Sequence, residues 1–432
     1  MKNSGIEIQK EIPFIESIPK NWRLIPNRWL FKEDGKKVGA DWEKYQLLSL
    51  TTTGVKERNI DDVGGKVPTS YENYQTVKKG QMIFCLFDLD CSAVFSGISK
   101  YNGMITSAYD VFSATDLITN NYIDYWFRYV FSNRYYMMYS KNIRYSVTSD
   151  IFKGLKTPVP PISEQQKIAY ILDEKCGKID KLIENEQKQI EKMKEYKQSV
   201  ITSAVTKGLD KSAPMKDSGI EWIGEIPESW DVLRVKNLGW TQNGISKGGD
   251  YFGHGFPFVS YGDVYRNMVL PKIVTGLIET NEDERKNYSV CQNDIFFTRT
   301  SETIEEVGFS CVCKKTIPNA TFAGFLIRLR LFDFDTINID YAKYYFRGSH
   351  IRKYLVKEMN LVTRASLGQD LLKSMSVTIP PIEEQKQIAD YLDEKCGKID
   401  EVIFIKQRKI EKLQEYKKSL IYEYVTGKKE VV

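Results

Sequence analysis

Residues 160–208 read PPISEQQKIAYILDEKCGKIDKLIENEQKQIEKMKEYKQSVITSAVTKG, and residues 380–428 read PPIEEQKQIADYLDEKCGKIDEVIFIKQRKIEKLQEYKKSLIYEYVTGK. The two stretches align without a gap at an offset of 220, and the run LDEKCGKID at 172–180 recurs unchanged at 392–400. Self-similarity of this kind marks a duplicated architecture. Within each copy apolar residues return every three or four positions: Ile168, Leu172, Ile179, Leu182, Ile190, Met193, Tyr196, Val200 and Ala204 in the first, and Ile388, Leu392, Ile399, Val402, Ile410, Leu413, Tyr416, Leu420 and Tyr424 in the second. That spacing predicts one amphipathic helix per copy. Pro-Pro precedes each stripe, Gly208 or Gly427 follows it, and Ser163 with Gln166 reads as a capping box in the first copy, where the second has Glu383.

A helix over 163–206 is roughly 66 Å long at 1.5 Å per residue. Its partner is predicted to be the other copy, in a two-stranded antiparallel coiled coil with a pseudo-twofold axis, because Lys and Glu fill the remaining faces. The expected interface sets Ile179, Leu182, Glu186, Ile190 and Met193 against Ile399, Val402, Lys406, Ile410 and Leu413. Glu186 and Lys406 interrupt the two stripes at equivalent points and are predicted to meet as a register-setting ion pair. The alternative is that each faces solvent.

Weaker echoes extend the duplication outward. Ser4-Gly5-Ile6 returns as Ser218-Gly219-Ile220, Ile18-Pro19-Lys20-Asn21-Trp22 as Ile226-Pro227-Glu228-Ser229-Trp230, and Ile123-Asp124-Tyr125 as Ile339-Asp340-Tyr341. The chain therefore divides into a variable module at 1–159, a helix at 160–211, a second module at 212–379 and a second helix at 380–432. Each module is expected to be mixed α/β. Strands are predicted at 81–87 and 109–113 in the first and at 257–261, 294–298, 308–313 and 325–332 in the second, with a helix at 123–139 and at 341–359.

At 432 residues, 42% hydrophobic and 28% charged, the composition fits a folded chain of two to three domains. No apolar run reaches the ~18 residues of a transmembrane helix. The start of the chain mixes charges early, and seven scattered cysteines suggest neither a disulfide framework nor paired zinc spacing, so a cytoplasmic protein is expected. The net charge of +5 is carried mainly by the first module, which neither requires nor excludes nucleic acid.

Two histidines, His254 and His350, leave little room for imidazole chemistry, and no metal site is expected. No phosphate-binding GxxxxGK[ST] loop occurs, and Gly253-His254-Gly255 lacks the third glycine of a dinucleotide fingerprint. A nuclease built on Asp88 and Asp90, or on Asp173-Glu174-Lys175 and its twin Asp393-Glu394-Lys395, is disfavoured. Neighbouring positions on a helix point about 100° apart and cannot converge on one ion. The basic and aromatic residues interleaved before each Pro-Pro offer a better chemistry. Arg134, Lys141, Arg144 and Tyr145 in the first module, and Arg352, Lys357 and Arg364 in the second, are candidate DNA contacts, with Lys247 in the glycine-rich loop and Arg266 and Arg299 beside strand ends. Guanidinium forks suit guanine edges, while Lys and Tyr hold phosphates. The competing reading of each is a helix with core aromatics and solvated bases.

The chain resembles the specificity subunit of a type I restriction-modification enzyme. The residues that carry the resemblance are Pro160-Pro161-Ile162-Ser163-Glu164-Gln165 with Ile168-Ala169 and Leu172-Asp173, and Pro380-Pro381-Ile382-Glu383-Glu384-Gln385 with Ile388-Ala389 and Leu392-Asp393. Asn293-Asp294-Ile295-Phe296-Phe297 is similar to the family's Gly-Asp-Ile strand motif, from which Gly80-Gln81-Met82-Ile83-Phe84 departs. The resemblance implies two target recognition domains, each reading half of a split, asymmetric site in double-stranded DNA, with the helices as a ruler. It also implies no catalysis and no cofactor in this chain. Two modification (methyltransferase) subunits would bring S-adenosylmethionine, and restriction subunits ATP and Mg. A coiled-coil adaptor whose modules bind proteins rather than DNA is the alternative.

Overall fold

The computed structural model describes residues 5–51, 54–60, 70–90, 96–140, 145–301, 306–358 and 365–431. It divides into two compact units, Met1–Glu186 with Arg408–Val432, and Gln187–Gln407. Each unit holds one α/β module and a stretch of both long helices, Ile162–Lys207 and Ile382–Val425.

In the first unit a four-stranded antiparallel sheet runs in the order Phe31–Glu33, Asp110–Ala114, Met82–Phe84, Ser96–Ile98. The helix Asn120–Ser132 packs on it, and Phe31, Phe84, Phe112, Phe127 and Phe152 interlock, with Phe84 and Phe152 centroids 4.7 Å apart. In the second unit the corresponding sheet runs Gly239–Asn243, Leu326–Leu331, Asp294–Thr298, Ser310–Val312. In both, a two-stranded ribbon joins the start of the module to its end: Arg23–Pro26 pairs with Lys156–Val159, and Asp231–Arg234 with Ser376–Ile379.

The expected strands are present, at slightly different limits, and both predicted module helices are broken. The first stops at Ser132 because Arg134 takes left-handed backbone (φ 55°), after which Tyr135–Tyr139 forms a 3₁₀ turn. The second splits at Gly348 into Ile339–Tyr345 and Ser349–Glu358. The departure from the Gly-Asp-Ile motif is explained by backbone geometry. Gly80 (φ 89°) and Asn293 (φ 68°) both turn left-handed just before their strand, a conformation that glycine takes freely and asparagine better than most. The next side chain then folds back onto the turn, since Gln81 Oε1 accepts the Lys78 amide at 2.7 Å and Asp294 Oδ2 the Cys291 amide at 2.7 Å.

The helices pair antiparallel within each unit. In the first, Asp180 bonds Lys417 at 2.6 Å and Glu186 bonds Lys409 at 2.6 Å. In the second, the equivalent contacts are Asp400 with Lys197 at 2.6 Å and Gln189 with Lys406. The duplication thus repeats its register as well as its sequence.

The seam itself is shifted from the sequence reading. Leu182 is 47% exposed and Val402 37%, so neither is a core position, and Tyr170, Tyr196 and Tyr416 also stand in solvent. Cys176 and Ile183 take their place in the first helix, Cys396 and Ile403 in the second. The series 172, 176, 179, 183, 186, 190, buried throughout except for the half-buried Ile183, alternates steps of four and three, as a two-helix seam requires. Leu182 followed by Ile183, and Val402 by Ile403, offered two apolar choices one residue apart. Only the facing helix decides between them. Ile179, Ile190 and Ile399 are buried, and Met193, Ile410 and Leu413 partly so. Glu186 is 7% exposed and takes a seam position in the first unit, with its carboxylate on Lys409. The capping box is not formed as expected: the helix starts one residue earlier, at Ile162, and the Glu164 and Gln165 amides donate to the Pro161 carbonyl.

Candidate nucleic-acid interface

The Pro-Pro-x-x-Glu-Gln motif ties each module to its helix. In the first unit Glu164 accepts the Trp22 indole N–H at 2.9 Å and the Asn21 amide at 2.9 Å. Gln165, fully buried, accepts the Thr119 backbone N–H at 2.7 Å and donates to the carbonyls of Leu117 (3.0 Å) and Pro160 (2.9 Å). The second unit repeats this. Trp230 donates to Glu384 at 3.0 Å, and Gln385 accepts from Asn338 at 2.7 Å while donating to Thr336 (3.0 Å) and Pro380 (2.9 Å). Elements distant in sequence converge on one glutamine whose every partner is a backbone group, so the clamp works whatever side chains a module carries.

Two turns further on, the repeated Asp-Glu-Lys triplet supplies a second anchor. Asp173 accepts the Tyr125 hydroxyl at 2.7 Å, and Asp393 accepts Tyr344 at 2.6 Å and Lys343 at 2.5 Å. Burial would raise the Asp393 carboxyl, but the hydrogen bonds from Lys343 and Tyr344 prevail and hold it below the usual range. Glu174 and Glu394 form ion pairs along the helix with Lys178 and Lys398. The aspartates are anchors, neither the nuclease cluster weighed above nor idle charges. Among the described residues no group of His, Cys, Asp and Glu is placed to hold a metal ion.

The candidate DNA contacts are scattered in fate. Lys141, Arg144 and Arg364 lie outside the described residues. Arg134 is exposed at its left-handed turn, Tyr145 is 41% exposed with φ 46°, and Arg266 is exposed in the last turn of Tyr261–Arg266. Arg299 follows the strand Asp294–Thr298, its amide and carbonyl bonded to Phe325 and Leu367. Lys247 is engaged internally: its ammonium meets Glu284 at 2.7 Å and the Glu279 carbonyl at 2.8 Å. Lys357 pairs with Glu221.

Arg352 is a correction. Its guanidinium donates to the Val307 carbonyl and lies over Phe309 at 5.2 Å, and burial, followed by the charge of Arg347, lowers its pKa to about 10. Arg347 is equally committed, reaching the carbonyls of Ser310 (2.7 Å), Val264 (3.0 Å) and Asn267 (3.0 Å). His350 is fully buried against Tyr345 at 4.6 Å. Arg347 and Arg352 thus hold loop carbonyls and His350 is buried, whereas Lys353 and Lys357 on the helix Ser349–Glu358 are exposed, as the reading of solvated bases expects. No periodicity distinguishes a capping arginine from a reading one. A basic cleft in the first module, around Lys36 and Lys78, was missed; paired lysines at 36–37 and 78–79 beside Trp42, Tyr45 and Tyr74 were its only signal.

A duplicated α/β module, each copy clamped by backbone hydrogen bonds to an antiparallel helix pair, is the arrangement these residues define. Residues 227–415 match the family model of the type I restriction modification DNA specificity domain. The MjaVIII type I restriction enzyme specificity subunit of Methanocaldococcus jannaschii is 26% identical over 286 residues, 65% of this chain and 64% of that protein. The putative MjaX specificity subunit of the same organism is 28% identical over 292 residues, 66% of this chain and 61% of that one. The matched stretch spans under two thirds of either relative's length. A chain in a solved structure concerned with complex assembly and conformational transition of the type I R-M system superposes with a TM-score of 0.69 at 14% identity, covering 95% of this chain and 99% of that one, a likeness of fold. The chain is thus similar to type I restriction-modification specificity subunits, most directly over residues 227–415, and the resemblance read from the Pro-Pro-x-x-Glu-Gln motifs is borne out. Among the described residues no helix is long and apolar enough to cross a membrane.

Proposed function

We propose that this chain is the DNA-reading, non-catalytic subunit of a type I restriction-modification complex in the cytoplasm. The modules at 1–159 and 212–379 each read one half of a split, asymmetric duplex site. The paired helices set the spacing between the halves and dock two modification subunits. S-adenosylmethionine would be bound by those subunits, and ATP and Mg by the restriction subunits that complete the assembly.

The observation that best supports this reading is the repeated glutamine clamp. Gln165 and Gln385 bond only backbone groups, so each module is free to vary in the side chains that face outward while its attachment to the helices stays the same. Such an arrangement suits exchangeable reading heads on a constant frame. Different modules imply different half-sites, unlike the palindrome of a symmetric dimer.

The test is to map methylated adenines in DNA from cells expressing this chain with its modification subunit, against cells lacking it. A new split motif methylated on both strands is expected. Inserting a heptad into each helix should change the gap between the half-sites and leave their letters alone. A stable complex that yields no motif and shows no salt-dependent binding to duplex DNA would overturn the proposal in favour of a protein-binding adaptor.

A further inference from the structure

The first module carries a cleft of about 510 Å³ whose charged lining residues are Lys36, Lys37, Lys44 and Lys78, with no carboxylate among the lining groups. Gln46 and Asn102 add neutral polar groups. The walls are held by backbone hydrogen bonds. The Thr76 amide donates to the Lys36 carbonyl at 2.8 Å, Lys37 bridges to Gln75, the Met104 amide donates to the Gln46 carbonyl at 2.8 Å, and the Lys79 amide donates to Asn102 Oδ1 at 2.8 Å. Beneath lies a separate small core of Val38, Leu47, Tyr71 and Met104, with Trp42 against Tyr71 at 5.2 Å. Four lysines thus project from a fixed platform.

Their ammonium groups are available. Among the described residues no carboxylate reaches Lys36, Lys37 or Lys78, and Lys37 touches only the neutral Asn73 amide oxygen at 3.4 Å. Lys44 meets Asp41 at 2.6 Å, but both side chains are largely in solvent (75% and 67% exposed), so that pair is readily exchanged for a stronger anion. Like charges gathered without counter-charge repel one another, a cost that a bound polyanion removes. Lysine, a flexible point charge without a planar fork, suits phosphate better than a base edge.

From this geometry we infer that the cleft binds the phosphodiester backbone of the DNA duplex and sets the position of the first module on it, while base edges are read by other residues. The inference rests on the proposed DNA-reading role and adds to it a site and a division of labour.

The test uses the full chain with its modification subunit, the variant Lys36→Gln/Lys37→Gln/Lys78→Gln, and its Lys→Arg counterpart. Binding is followed by fluorescence anisotropy between 50 and 200 mM salt, on a duplex carrying the methylated motif and on one with the motif scrambled. Removing one lysine–phosphate pair lowers the slope of log K against log salt by about 0.9, so removing three lowers it by about 2.7. The Gln variant should therefore lose roughly 40-fold less affinity across that salt range than the wild type, equally on both duplexes, with the methylated motif unchanged. The Arg variant should keep the wild-type slope. A wild-type complex that methylates its motif while the Gln variant keeps the full slope overturns the inference alone, and so does a changed motif. A wild-type complex with no motif overturns the DNA-reading role and the inference with it.

Discussion

Gln385→Ala probes the clamp most directly. The side chain is fully buried and makes three hydrogen bonds, with Asn338 at 2.7 Å, Thr336 at 3.0 Å and Pro380 at 2.9 Å. Truncation leaves one backbone donor and two carbonyls without these partners, each costing about 1–3 kcal/mol when buried. Water entering the vacated space relieves part of this, so about 3 kcal/mol is expected. Gln385→Glu keeps the shape and the acceptor for Asn338 but sets a carboxylate oxygen against two carbonyls, and should cost as much. The assay is urea unfolding followed by tryptophan fluorescence, since Trp230 donates to the adjacent Glu384. Gln165→Ala should behave alike in the first unit, while Gln166→Ala, at an exposed position one residue on, should change stability by less than about 0.5 kcal/mol. If Gln385→Ala and Gln166→Ala unfold at the same urea concentration, the clamp is not what holds module to helix.

Arg352→Met should lower the urea midpoint and leave the methylated motif intact, because the guanidinium holds the Val307 carbonyl inside the second unit; an altered motif with unchanged stability would restore it as a DNA contact. Acidification should weaken the second unit through His350. Burial, and then the charge of Lys353, lower its pKa to about 3, whereas the unfolded chain takes up the proton near 6.5, so stability present above pH 6.5 is lost as pH falls towards 3, on the order of 2 kcal/mol by pH 4.5. The urea midpoint of His350→Leu should fall less between pH 7 and 4.5, and an identical fall in both proteins would refute this. A double-mutant cycle on Glu186→Ala and Lys409→Ala should show coupling of about 1 kcal/mol; zero coupling would make the seam contact incidental. Phe84→Ala should cost about 3–5 kcal/mol in the first unit by opening a cavity in the phenylalanine cluster, measured by the same unfolding assay.

Much of this protein was legible in its sequence because periodicity and repetition survive translation into text. The run LDEKCGKID, present twice, could only be two copies of one element, and the three-four spacing around it could only be a helix with one apolar face. The antiparallel pairing also followed, since a whole module separates the copies and lets the chain return. What the text left open were choices between adjacent residues. Leu182 or Ile183, Val402 or Ile403: each pair satisfies a helical stripe, and only the surface of the facing helix selects the second of each. The functional reading of the basic residues was harder still. Arg352 and Arg134 look alike in sequence, yet one caps a buried carbonyl and the other stands in solvent, because a guanidinium's role depends on which orphaned oxygen the fold brings within reach. The cleft of Lys36, Lys37, Lys44 and Lys78 is likewise a tertiary fact. Its lysines come from segments that share a wall only after residues 75–77 pair with 103–105, and a string of residues does not record which charges a fold will bring together.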